Sequence, residues 1–314
     1  MTRFAELNSN DVPVLLIGYN RPDFLIKRIH ELSGMGVKHL YVSVDGGLPD
    51  LKEEINSVIL KAYEILNGLN TLEVNLQNAN FGMVKHITNA ISIVFKKFDY
   101  IIVVEDDIVL SKNFYYNMLK GLNLQINKNK TGIVGAFSPI DLSKFKNTRN
   151  LWRTTKYVPL WGWGCSFKVW QEYNYDLSLV NIEETLSNSK TWNSLNQHQK
   201  NVWLGRFIKS QKNPEFTWDM QFQYLSFIKN FTNIAPVSRF VSNEGFLDSR
   251  AVHTKGNKPK WFLNGDFSSI KIESDKISIF SKFIEKIIDS NTYAGDTKMF
   301  NRWAHLRQNK NLVI

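Results

Sequence analysis

The segment Tyr100-Ile-Ile-Val-Val-Glu-Asp-Asp-Ile-Val-Leu110 limits what this chain can fold into more than any other. Five residues, mostly β-branched and apolar, run straight into Glu105, Asp106 and Asp107, and apolar residues resume at Ile108. Adjacent carboxylates at the end of a buried strand repel one another. Desolvating them costs several kcal/mol each unless they are paired or bound to a cation. A divalent ion on hard oxygen ligands, with substrate phosphates completing the shell, resolves that conflict. Open α/β sheets place their ligands at the carboxyl ends of strands. The segment therefore points to a metal–nucleotide site. The alternative, a solvated acidic turn, is disfavoured by the apolar run before the carboxylates and by the lack of a turn residue after them.

At 314 residues, 43% of them hydrophobic and 13% aromatic, the chain can bury a sizeable core as one large or two small domains. No apolar run reaches the roughly 20 residues of a membrane span. The first ten residues have no signal-peptide core, so a cytoplasmic protein is expected. The single cysteine, Cys165, excludes an internal disulfide. A net charge of +10 implies anionic partners: phosphorylated substrates, an anionic membrane surface or nucleic acid. With no zinc-ligand spacing and no dense Arg-rich helix, nucleic acid is set aside.

Val12–Gly18 is expected to be a buried first strand, with Pro22 opening a helix on Phe24, Leu25, Ile29 and Leu32. Leu40–Val44 is a second strand ending at Asp45-Gly-Gly47, and Leu51–Leu66 an amphipathic helix. Leu72–Asn75 is a short strand, Met83–Phe98 a helix, and Tyr100–Val104 the carboxylate-bearing strand. This alternation argues for a mostly parallel sheet with crossover helices. After about residue 130 the pattern loosens into short strands, aromatic loops and Asn/Ser/Lys-rich connectors. Ile277, Phe280, Phe283, Ile284, Ile287 and Ile288 give one apolar face of a late helix that also carries Lys276, Lys282 and Lys286. It is expected to dock on the core, with a membrane-surface helix as the alternative.

On the rim of such a sheet, Asn20-Arg21, Asp45 and Glu105-Asp106-Asp107 come together as a nucleotide-diphosphate pocket. An Arg neutralises phosphate, an Asp accepts from ribose or base, and carboxylates hold a metal. No P-loop and no Gly-x-Gly-x-x-Gly follow the first strand, which disfavours those cofactor sites. Asn78–Gly82 and Lys85 on the next helix are expected to face the diphosphate or sugar. Trp161-Gly-Trp-Gly-Cys-Ser-Phe167 pairs ring faces for sugar stacking with glycines that allow close approach. Asp219, in Phe216-Thr-Trp-Asp219, is a candidate general base if half-buried, or else a helix cap. His253 becomes a metal-ligand candidate if its loop folds back over the ion.

These segments resemble the GT-A fold glycosyltransferases, most closely the N-acetylglucosaminyltransferase I-like group and its bacterial relatives. Val14–Arg21 resembles the family's first nucleotide-binding strand, and Val42–Gly46 the strand whose Asp contacts uridine. Val103–Tyr115 is similar to the metal-binding Glu-Asp-Asp block and its tail. Leu151–Thr154 with Trp161–Gly164 resembles the acceptor-side segment, Thr217–Asp219 the catalytic segment, and Val237–Arg239 with Gly245 the late Arg and Gly loop. Met220 stands where the family has a second Asp. The resemblance spans roughly residues 12 to 255.

The resemblance implies a GT-A (nucleotide-diphospho-sugar transferase) fold with an elaborated acceptor-side second half. Its catalytic domain would be 1–255, with a nucleotide half to about 130, an acceptor half from 131 to 255, and a helical extension over 256–314. It implies Mn²⁺ or Mg²⁺ on Asp107, donor contacts from Glu105 and Asp106, and Asp219 as base for inverting attack. Trp161, Gly162, Trp163, Gly164 and Arg239 would serve the substrate. The expected activity is transfer from a nucleotide-sugar, UDP-sugar favoured, to a glycan acceptor in capsule, lipopolysaccharide or other surface-polysaccharide synthesis. An acceptor on a lipid diphosphate would place the enzyme peripherally at the inner face of the cytoplasmic membrane. The alternatives are a sugar-phosphate nucleotidyltransferase and a non-catalytic carbohydrate-binding protein.

Overall fold

The computed structural model describes residues 6–66, 68–126, 131–139, 151–251 and 270–291. β1 (Val14–Gly18) is buried along its whole length, as a central strand covered on both faces must be. Pro22 opens α1 (Pro22–Ser33), where its missing N–H is no loss. Then come β2 (His39–Val44), α2 (Lys52–Ile65), β3 (Thr71–Leu76), α3 (Met83–Val94) and β4 (Tyr100–Glu105), close to the expected boundaries.

β1 pairs in parallel with β2 and β4, and the strand ends are level. Gly18 lies beside Val44, and Ile17 beside Glu105. The N–H groups of Asp45 and Asp106 carry the pattern one step further, donating to Gly18 O at 3.0 Å and Ile17 O at 2.9 Å. Groups from three strands thus share one rim. Alternate residues face opposite layers. Val14, Leu16, Val42, Ile102 and Val104 point into one core, and Leu15, Ile17, Tyr41, Ile101 and Val103 into the other.

After β4 the chain enters no helix. Asp106 and Asp107 themselves form the turn into β5 (Ile108–Leu110), which leads to α4 (Phe114–Ile126). The sheet continues through β6 (Thr131–Gly135), β7 (Trp152–Thr155) and β8 (Trp163–Ser166). β8 lies antiparallel between β4 and β6. Four helices then precede a fifth that starts on the candidate base: α5 (Phe167–Trp170), α6 (Ile182–Ser187), α7 (Lys190–Asn193), α8 (Gln197–Lys212) and α9 (Asp219–Ile228). A capping box between Asn196 and Gln199 starts α8, whose buried positions are only Gln199, Trp203, Phe207 and Ser210. β9 (Thr232–Pro236) pairs with β6 and β7, and β10 (Val241–Asn243) runs antiparallel to β5.

The main sheet has eight strands in the order β3-β2-β1-β4-β8-β6-β9-β7. The protein is therefore the expected α/β structure, a mostly parallel central sheet flanked by helices. α10 (Ser281–Asn291) docks on the second half. Ile284, Ile287 and Ile288 join a cluster with Trp203, Phe207 and Phe227. Glu285 accepts from Thr155 Oγ1 at 3.0 Å and from Lys156 N at 2.9 Å. Among the described residues no helix is long and apolar enough to cross a membrane.

Gly164 allows β8 to sit against β4, because a Cβ there would lie 2.6 Å from the Ile101 carbonyl oxygen. Backbone cannot swing aside as a side chain can. Gly164→Ala is expected to destabilise the fold by about 1–3 kcal/mol, seen as a lower urea midpoint at unchanged slope. An unchanged midpoint would contradict this strand packing.

Candidate functional site

The level strand ends form the floor of a cleft of about 730 Å³. Asn20, Arg21, Asp45, Glu105, Asp106 and Asp107 line it from the first half of the chain. Trp161 and the Phe216–Met220 segment line it from the second. The candidate base and the acidic turn therefore face one cavity, although more than a hundred residues separate them in sequence.

Two arginines of α1 and its approach hold the acidic turn. Arg21 Nη1 donates to Asp107 Oδ2 at 3.2 Å, and Nη2 bonds Asp106 Oδ1. Arg28 is 1% exposed. Its Nη1 reaches Glu244 Oε1 at 3.0 Å and the Asp106 carbonyl at 3.4 Å, and its Nη2 reaches Glu31 Oε1 at 2.9 Å. Glu31 in turn accepts from Leu110 N at 3.0 Å, and Glu244 N donates to Asp107 O at 2.9 Å. One buried guanidinium thus ties α1 to both ends of the β5–β10 ribbon. Gly245 closes the floor, since a Cβ there would lie 2.4 Å from Asp107 Oδ2.

The carboxylates are electrostatically uncomfortable. Burial, aided by the charges of Asp107, Asp106 and Asp219, pushes Glu105 up to about 8. Burial pushes Asp106 up to about 7 against the pull of Arg21. Asp107 is raised by burial, with Arg21 and Asn243 opposing. Among the described residues buried Asp106 Oδ2 has no hydrogen-bond partner. Among the described residues no three His, Cys, Asp or Glu side chains form a ready-made metal shell. The donor set instead suits a hard divalent cation that takes one or two carboxylates and completes its shell from phosphate and water. Asp106 Oδ2 is the unpartnered oxygen open to it, and the Asp107 carboxylate would share its oxygens with Arg21.

Asp219 opens α9. Its Oδ1 accepts from Met220 N at 2.9 Å and from Thr217 Oγ1. Burial raises its pKa, while Met220 N–H and the charge of Arg206 oppose the rise. It is both helix opener and cleft wall, so the two roles open to it from sequence coexist.

Other expected residues take different roles. Asp45 lines the cleft, but its carboxylate accepts from Gly46 N, Phe81 N and Gly82 N at 2.9, 3.0 and 3.1 Å. It fastens the Asn78–Gly82 loop under α3. Lys85 is not in the cleft wall and pairs with Glu215 at 2.6 Å. Trp163 was expected to offer a ring to substrate. It is 1% exposed instead and packs on Trp218 and Phe222, centroids 5.5 Å from each, because β8 is an internal strand. Gly164 shares that strand, Gly162 sits in a left-handed turn before it (φ 62), and Arg239 is buried outside the cleft wall. His253 lies outside the described residues.

Asn80, Gly82 and His86, from the loop and helix start expected to face the ligand, do line the cleft, which also gathers residues that sequence reasoning passed over: Arg206, Lys209, Asn243 and Arg250. Arg250 bridges Asp23 and Asp248, holding Asp248 at about 2, and its carbonyl accepts from Asn20. The spacing of Arg206 and Lys209 on one face of α8 was the available signal. It was hidden by the weak apolar pattern of that helix.

No family model matches the chain, and no curated protein matches it. Among solved structures the chain is similar to HddC from Yersinia pseudotuberculosis, with 14% identity and a TM-score of 0.35 over 51% of this chain and 79% of that one. HddC complexed with GMP-PN gives 15% identity and a TM-score of 0.33 over the same shares, 51% and 79%. A UDP-glucose pyrophosphorylase complexed with UDP-glucose is similar at 9% identity and a TM-score of 0.36, over 71% of this chain and 89% of that one.

Folded Glu105 keeps its proton to about pH 8, whereas an ordinary glutamate releases it near 4.5. Between those values the folded state binds more protons than the unfolded one, so stability falls as pH rises. In chelator, the melting temperature of the wild type is expected to drop from about pH 5 to about pH 9. The drop should be shallower in Glu105→Gln. Identical slopes in the two proteins would contradict the raised Glu105 pKa.

Proposed function

We propose that this protein is a metal-dependent glycosyltransferase that moves a sugar from a nucleotide-sugar, UDP-sugar favoured, to an acceptor hydroxyl. The observation that carries the proposal is the facing of Glu105, Asp106 and Asp107 at a strand end with Asp219 across one cleft. The motif resemblance supports Asp107 as metal ligand and Asp219 as base, and gives Asp106 a donor contact. Bound at Asp106 and Asp107, Mn²⁺ or Mg²⁺ would supply Lewis-acid stabilisation of the leaving diphosphate.

Arg21 stands beside the same carboxylates and is placed to shift onto a phosphate oxygen, where its planar donor fork matches the geometry. Trp161 offers a ring at the cleft wall for the donor sugar or the acceptor. Asp219 takes the proton from the acceptor hydroxyl as that oxygen attacks the anomeric carbon. The carbon–oxygen bond to the diphosphate then breaks on the opposite face, with inversion. Its raised pKa keeps Asp219 a usable base, since proton affinity grows as the carboxylate is desolvated. A surface-polysaccharide role at the inner face of the cytoplasmic membrane belongs to the same proposal.

Transfer of a nucleotidyl group to a sugar phosphate is the competing chemistry. It would use the same carboxylates, but the loop after β1, Gly18-Tyr-Asn-Arg-Pro22, lacks the Gly-rich basic character that such a reaction employs. The two reactions differ in product. With UDP-sugar, metal and no acceptor, slow hydrolysis to UDP and free sugar is expected, and Asp219→Asn should lower its kcat by roughly 10²–10⁴. Release of pyrophosphate from a nucleoside triphosphate and a sugar 1-phosphate, with UDP-sugar left intact, would overturn the glycosyltransferase assignment.

A further inference from the structure

The cations of the cleft divide into two sets. Arg21 is paired with Asp106 and Asp107, and Arg250 with Asp23 and Asp248. Arg206 and Lys209, three residues apart on one face of α8, both line the cleft, and among the described residues neither has a carboxylate within 4.0 Å. Aromatic faces hold them instead. The Arg206 guanidinium lies over the Trp203 ring, 4.6 Å from its centroid, and Lys209 Nζ lies 5.0 Å from that of Phe216. Trp203 is 1% exposed and fixed in the core, so Arg206 is steadied without spending its in-plane N–H donors. Arg206 and Lys209 line the same cleft as Asp219, and the charge of Arg206 acts on that carboxylate.

We propose that Arg206 and Lys209 form a phosphate subsite for the acceptor, so that the hydroxyl presented to Asp219 belongs to a molecule carrying a phosphate ester or diphosphate. The inference rests on the glycosyltransferase assignment of the cleft. Arg21 and the acidic turn already provide for the donor diphosphate. Two uncompensated cations in a concave wall raise the local concentration of anions and favour a dianion over a monoanion. An arginine fork beside a lysine point charge matches phosphate oxygens, which a neutral sugar acceptor would leave unanswered.

The test uses the full chain and the double variant Arg206→Gln/Lys209→Gln, each saturated with UDP and Mn²⁺. The probes are phenyl phosphate in solution, farnesyl diphosphate in phosphatidylcholine vesicles, and glucuronate. Calorimetry is expected to show phenyl phosphate binding to the wild type and a Kd raised roughly tenfold or more in the variant, with the UDP Kd within about twofold. The unchanged UDP affinity also reports that the variant is folded. Tighter binding of farnesyl diphosphate than of phenyl phosphate assigns the phosphate to a lipid carrier, and equal binding assigns it to a soluble sugar phosphate. A roughly tenfold loss of UDP affinity with phosphate binding unchanged would overturn the proposal, because the pair would then serve the donor. So would glucuronate binding as tightly as phosphate, or no probe binding at all. If the wild type binds none of UDP, GDP, CMP and dTDP with Mn²⁺, the glycosyltransferase assignment falls. Phenyl phosphate titrated without nucleotide then still decides whether the pair is a phosphate site.

Discussion

Everything at this site depends on keeping Asp106 and Asp107 turned into a low-dielectric cleft. Unaided, two adjacent buried carboxylates would protonate or drive the turn into solvent. Arg21 neutralises their side chains, and Arg28 holds the backbone of the turn through the Asp106 carbonyl. Both arginines belong to the segment that follows β1, and β1 is the strand that pairs with β4. The parallel register that builds the sheet therefore also delivers the counter-charges. Glu31 and Glu244 extend the clamp to β5 and β10, so the ribbon beneath the turn cannot shift without breaking half-buried charge-assisted hydrogen bonds.

The clamp leaves the carboxylates in a state that favours ligand binding. Glu105 and Asp106 are held near neutrality in their pKa values, so cation binding at physiological pH would release protons and relieve repulsion together. A preorganised, partly protonated cluster costs little reorganisation when a metal–diphosphate arrives. Across the cleft, burial raises Asp219 as well. It sits at a helix start, close to Arg206, and bears no strand-end carboxylate next to it in the chain. One cavity thus holds the acidic turn and Asp219 together, and the charge of Asp219 is felt at Glu105.

The first half of the fold was legible because its signals are local. Continuous apolar strands, Pro22 at a helix start and the 3.6-residue pattern of α1 and α3 all agree with the tertiary structure. Glu105–Asp107 stood out for the same reason: carboxylates contradict the run that carries them. The second half was less legible. β8 is a central strand whose buried residues are Trp163, Gly164 and Cys165, and its glycine serves close backbone approach, a tertiary need with no local signature. The same sequence reads equally well as a ligand loop, which is why Trp163 looked like a contact and proved to be core. α8 buries two aromatics and two polar residues, so neither its existence nor its basic face could be read from apolar spacing. Asp45 illustrates a third limit. An acid after a strand was visible, but its backbone partners at Gly46, Phe81 and Gly82 depend on how a distant loop folds back.

The central claim is that the acidic turn binds a nucleotide diphosphate through a divalent cation. Thermal stabilisation of the purified protein by UDP, GDP, CMP and dTDP, each with Mn²⁺ and with chelator, beside Asp107→Ala, tests it most directly. The account predicts that one nucleotide raises the melting temperature only with metal, and that the variant loses the shift. No metal-dependent shift with any nucleotide, or a shift that survives in Asp107→Ala, would contradict it.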